Sequence, residues 1–217
     1  YEKLFNIADR TMIISGGGGA WSAKEKTEVV TKTVSILKSA FVERTEADPM
    51  HYSYATEIET LLKQSKTENA QYDFKQGIHD LANGKRNEQL ISKIFKTLTA
   101  MGNSGKNATG YILIGVADKF EDAEKISRRY EVEYIKVGNF YITGIDGEVS
   151  CFYNNDYDSY FSQIKNALQQ MPLDEHYRRQ IGTKMRMVNY YGRAVIIIKI
   201  VSDNGAVMFE NNYYTRT

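Results

Sequence analysis

"YDFKQGIHDLANGKRNEQLISKIFKTLTAMGNSGKNATGYILIGVAD", residues 72–118, is the stretch on which the fold turns. An alternation leads into it: Ala70, Tyr72 and Phe74 alternate with Gln71, Asp73 and Lys75. A period of two places one strand face in a core and the other towards water. "GIHDLANGKRN" then reads as a polar loop ending on Asn87, a side chain suited to accept from the first turn of a helix. Leu90, Ile91, Ile94, Phe95, Leu98 and Met101 recur at helical spacing as one apolar stripe, which Gly102 and Asn103 end. "GYILIGVA" at 110–117 is apolar almost throughout, as in a buried strand, and Asp118 follows it. Strand, helix and strand in this order outline a crossover unit.

Beyond this unit, "FEDAEKISRRYE" predicts a short helix and "NFYITGID" a strand closed by an Asp-Gly turn. "DSYFSQIKNALQQM" predicts an amphipathic helix ending before Pro172. Two hairpins are expected, one around Tyr191-Gly192-Arg193 and one around Asn211-Asn212. On the N-terminal side, "LFNIADRTMII" at 4–14 is helix-like, and the four glycines of "SGGGGA" at 15–20 cannot hold a helix. "SAKE" at 22–25 is a capping box opening a helix to about Arg44, and Asp48-Pro49 breaks it. A second helix at about 53–64 buries Ile58, Leu61 and Leu62. The expected architecture is a mixed α/β (α+β) domain over 66–217, a mixed sheet with flanking helices. An N-terminal helical extension over 1–65, with a Gly-rich linker at 15–20, precedes it.

Charge narrows the function classes. Lys and Arg number 28 against 27 Asp and Glu, a net charge of +1, so any affinity for nucleic acid must come from local arrangement. Cys151 is the lone cysteine, which excludes an internal disulfide framework and a cysteine-rich zinc site. His51, His79 and His176 lack metal-ligand spacing and suit hydrogen-bonding or surface roles. The longest apolar run, "AVIII" at 194–198, is a strand's worth, and no secretion signal is evident, so a cytoplasmic protein without a membrane partner is expected. The start at Tyr1 reads as a piece of a longer polypeptide with further domains. "AMGNSGKNATG" imitates a phosphate loop, but Ala100 and Asn107 stand where a glycine and a hydroxyl are needed, and the segment follows a helix rather than a strand.

Asp73 and Lys75, two residues apart on one strand, project to the same face about 6.6 Å apart at ~3.3 Å per residue. Glu68 lies just before that strand, and Asp118 lies at the end of the next, where sites gather in open α/β sheets. Three carboxylates beside a lysine suit metal-assisted phosphodiester cleavage. Carboxylate oxygens hold Mg²⁺ or Mn²⁺, the metal activates water, and an ammonium answers the charge that builds on phosphate. The same residues also suit a solvated strand face with an Asp turn former, and spacing leaves both readings open.

Taken as an ordered set, Glu68-x-x-x-x-Asp73-Phe74-Lys75, "QLISKIFKTLTAMGN", "GYILIGVADK" and "FENNYYTR" resemble the Schlafen-type AlbA domain over residues 66–217. The resemblance implies nucleic-acid binding and, as in the RNA-cleaving Schlafens, a metal-dependent endoribonuclease acting on tRNA or other structured RNA. It puts the active carboxylates on Glu68, Asp73 and Asp118, with Mg²⁺ or Mn²⁺ between them and Lys75 at the phosphate. Two departures stand out: Asp73 occupies a position where the family has Glu, and Met101-Gly102-Asn103 replaces the family's Ala-Asn with a longer loop following. Relatives join two such lobes in one clamp, so a homodimer is expected here. RNA contacts are expected at Arg178, Arg179, Lys184, Arg186, Arg193 and Arg216, the last at the family's Tyr-x-Arg position, with DNA as a second partner. The alternative is a non-catalytic nucleic-acid-binding or regulatory module that positions an effector elsewhere in the chain.

Overall fold

The computed structural model describes residues 57–62 and 71–216. Glu68 and the helices expected at 4–14 and 22–44 lie outside the described residues, as does the Gly-rich stretch between them. The crossover is as expected: Tyr72–Lys75 (β1), Glu88–Gly102 (α1) and Thr109–Ile114 (β2), with β1 and β2 paired in parallel from Tyr72 opposite Tyr111 to Lys75 opposite Ile114. Asn87 caps α1 by accepting from the Leu90 N–H, and the helix buries Ile91, Ile94, Phe95, Leu98 and Met101.

The chain continues through Val116–Ala117 (β3), Phe120–Tyr130 (α2), Ile135–Val137 (β4) and Phe140–Ile142 (β5). Three helices follow, Asp146–Tyr153 (α3), Tyr157–Gln170 (α4) and Glu175–Lys184 (α5). The hairpins Arg186–Tyr190 (β6) with Arg193–Val201 (β7), and Met208–Phe209 (β8) with Asn212–Tyr213 (β9), close the fold. The main sheet runs β1-β2-β7-β6, and a smaller one runs β3-β5-β4. This is a mixed α/β fold.

The main sheet is buried on both faces, which explains its long apolar runs. Ile112, Ile114, Ile196, Ile198 and Ile200 face a core shared with α1, α4 and α5. Phe74, Leu113, Val195 and Ile197 face a second core with Phe140 and Ile142 of the smaller sheet and with Ile58, Leu61 and Leu62. Those last three lie in the helical residues 57–62, so the apolar side of the second expected helix packs onto the α/β sheet.

Three local expectations change. "GYILIGVA" is two strands in two sheets, because Gly115 at φ +101 turns the chain between them. A Cβ there would lie 3.0 Å from the Gly144 carbonyl carbon and 3.1 Å from the Ala194 oxygen. Asp146-Gly147 begins α3 instead of forming the turn that closes the strand: Asp146 accepts from the Ala194 N–H at 3.0 Å and the Tyr157 hydroxyl at 2.8 Å. The last hairpin turns at Glu210-Asn211, both at positive φ, one residue before the expected place. That hairpin is tied to the end of α1 by Asn103, whose side chain donates to the Val207 and Tyr214 carbonyls and accepts from the Val207 N–H.

Candidate functional site

β1 and β2 run parallel, and the chain beyond their carboxyl ends borders a cleft of about 330 Å³. In open α/β sheets the carboxyl ends of parallel strands are where ligands bind. Lys75 ends β1, Asp118 follows β3, Lys93 and Leu90 come from α1, and Tyr130 ends α2; all line the cleft.

Its wall is fixed by a buried carboxylate. Glu148, in the first turn of α3, is 4% exposed. It accepts from the Ile78 and His79 N–H groups at 3.0 Å each, and from the Tyr160 hydroxyl at 2.6 Å. His79 Nδ1 lies 3.0 Å from the same carboxylate and Nε2 lies 3.3 Å from the Tyr153 hydroxyl. A carboxylate can only accept, so Nδ1 carries a proton and donates to Glu148. Burial, then the Glu148 charge, raises the Tyr160 hydroxyl well above the usual phenol range, so it stays a donor. The loop must approach closely: a Cβ on Gly77 would lie 2.1 Å from Glu148 Oε1.

Asp73 and Lys75 share a face and meet, as their spacing predicts. Lys75 Nζ is 2.6 Å from Asp73 Oδ2 in an ion pair without hydrogen-bond alignment, and it donates to the Phe74 carbonyl at 3.1 Å. Arg216 adds a second cation: Nη2 is 3.8 Å from Asp73 Oδ1, and Nη1 donates to the Tyr72 carbonyl at 2.9 Å. Asp73 is buried, 5% exposed, whereas Asp118 is exposed and lines the cleft. Lys75 is therefore the residue common to the Asp73 ion pair and the cleft.

The remaining cationic candidates are dispersed. Arg178 donates to the Leu173 carbonyl, Arg179 pairs with Glu175 at 2.5 Å, and Arg186 pairs with Glu57. Lys184 ends α5, and Arg193 opens β7 opposite Tyr190. None of these, nor Arg216, lines the cleft. His176 lies 2.8 Å from Asp203, a surface pair.

Lys93, Tyr130 and Glu148 were not among the residues read from sequence. Lys93 sits on the polar side of a helix already explained by its apolar stripe, and Glu148 lies in a segment that reads as a turn. Tyr130 packs its ring on Gly147, where a Cβ would lie 2.4 Å from its own, and meets Phe152 edge-on. Its hydroxyl oxygen is buried, with no hydrogen-bond partner among the described residues. Burial, reinforced by the Glu148 charge, holds its acidity far below that of a free phenol.

Among the described residues no group of three or more histidines, cysteines and carboxylates comes together as a metal cage. Mg²⁺ needs no such cage, since it keeps waters and takes one or two carboxylates together with substrate phosphate. Asp118 fits that role. Asp73 fits it only if Lys75 and Arg216 release it. No helix among the described residues is long and apolar enough to cross a membrane. No family model, curated protein or solved structure matches the chain.

Proposed function

We propose that residues 66–217 form a Schlafen/AlbA-like domain that binds RNA and cleaves it with Mg²⁺ or Mn²⁺. The observation that carries this reading is the placement of Lys75 and Asp118 on one cleft beyond the carboxyl ends of a parallel strand pair. Asp118 would hold the ion together with Glu68 and, once freed from its cations, Asp73. The bound ion would supply an activated water and a positive charge at the leaving oxygen. Lys75, an ammonium at the cleft edge, would steady the phosphate.

A non-catalytic RNA-binding module is the second reading, favoured by the two cations already at Asp73. A cleavage time course on total tRNA separates them. The wild-type chain with Mn²⁺ or Mg²⁺ is compared with Asp118→Ala and with an EDTA control. Discrete fragments lost on mutation and on chelation are expected. Intact tRNA in all lanes, accompanied by a gel shift, would leave the binding module.

A further inference from the structure

Of the two described carboxylates assigned to the ion, Asp118 is exposed and Asp73 is buried between two cations, Lys75 at 2.6 Å and Arg216 at 3.8 Å. A buried carboxylate needs such partners, and losing one without a replacement is strongly unfavourable. The two cations are not equivalent. Arg216 is tied to the Tyr72 carbonyl at 2.9 Å and does not line the cleft. Lys75 does line it, and its contact with Asp73 Oδ2 is a charge contact without hydrogen-bond alignment. Its hydrogen bond goes to the Phe74 carbonyl at 3.1 Å, one of the three an ammonium can donate. The other polar side chains of the cleft suit an arriving phosphate. Lys93 is an exposed ammonium, and the half-buried Gln76 amide, next in the chain to Lys75, can donate to an anion. His79 and Glu148 are committed to each other in the wall, and the Tyr130 hydroxyl is buried out of reach. Asp118 opposes phosphate until a cation covers it.

We propose that Lys75 is a transferable cation: it neutralises Asp73 in the free protein and a strand phosphate in the RNA complex, and its departure frees Asp73 for the divalent ion. This rests on the RNA-cleaving reading above and adds the order in which its site assembles. Neither half of the exchange is favourable alone. Moving Lys75 to phosphate leaves the buried Asp73 charge with its more distant cation only, and a divalent ion at Asp73 meets an ammonium in direct contact with the same oxygen. Made together, each change removes the obstacle to the other. Strand and ion therefore bind cooperatively, and the coupling is the same whichever arrives first.

The test begins with the full chain without RNA, its Mn²⁺ affinity read from the electron paramagnetic resonance signal of the free ion. Lys75→Gln removes the charge and keeps a hydrogen-bond donor. It should bind Mn²⁺ about tenfold more tightly than the wild type, a coupling of ordinary size. Adding Asp73→Asn should abolish that gain. In the second measurement, fluorescence anisotropy reads the affinity for a short single-stranded 2′-O-methyl oligoribonucleotide, checked by gel to stay intact. Mn²⁺ at fixed ionic strength should raise the wild-type affinity about tenfold, and that of Lys75→Gln by less. Lys75→Met supplies the same neutralisation if the amide variant does not fold. Unchanged Mn²⁺ affinity on neutralising Lys75, a gain that survives Asp73→Asn, or an equal rise in both chains would overturn the transfer and leave the metal reading standing. Absence of Mn²⁺ binding in every chain, with or without the oligonucleotide, would overturn both.

Discussion

At the scale of single residues, Glu148 has more hydrogen-bonding responsibility than any other carboxylate described. Four donors from three residues converge on it: two backbone N–H groups, an imidazole and a phenol. Replacing it with Gln preserves the shape but leaves a single oxygen able to accept, so at least one buried donor loses its partner. The expected cost is ~2–4 kcal/mol, because the bonds to an ionisable acceptor are stronger and the orphaned donor stays buried. Urea unfolding of Glu148→Gln against the wild-type chain measures it. A change below about 1 kcal/mol, the size of one ordinary hydrogen bond, would mean the loop at Ile78 and His79 is held by other contacts. Asp73 and Lys75 were legible at this scale because strand alternation alone puts them together. Glu148 was not, since neither of its main partners, residues 78–79 and Tyr160, is implied by its local pattern.

At the scale of elements, the crossover, its cap and the two closing hairpins follow from periodicity and turn chemistry. Asn87 caps α1, and Tyr191-Gly192 turns at positive φ, as its composition suggests. What stayed hidden was the change of sheet at Gly115. An apolar run reports burial and carries no information on which strand is the neighbour, so "ILIGVA" looks the same whether it pairs once or twice. The glycine was the one available sign, since an isolated Gly in a strand pattern marks a bend or a close approach. Gly115→Ala is expected to destabilise by ~2–3 kcal/mol, combining a left-handed backbone with contacts to Gly144 and Ala194 that neither backbone can relieve. Chemical denaturation checks it, and circular dichroism confirms that the fold persists. The Asp-Gly pair at 146–147 misled for a related reason: Asp146 favours a turn by itself, but its side chain is claimed by Tyr157 and the Ala194 N–H across the fold.

At the scale of the whole molecule, one sheet divides two cores, and each has its own cover. The second is closed partly by Ile58, Leu61 and Leu62, which sequence reading places in an appended helix. Ile58→Ala should cost ~2–4 kcal/mol, as for a fully buried aliphatic side chain, whereas an appended helix would give almost none. The shift in denaturant midpoint decides between these. The sheet also joins distant parts of the chain: β2 pairs with β7, and Arg216 reaches back to the Tyr72 carbonyl beside Asp73. During translation the strand carrying Asp73 therefore emerges long before the cation that caps its carbonyl. The chain must leave the ribosome as far as Arg216 before β1 has its final electrostatic surroundings, because the second cation at Asp73 is contributed by residue 216.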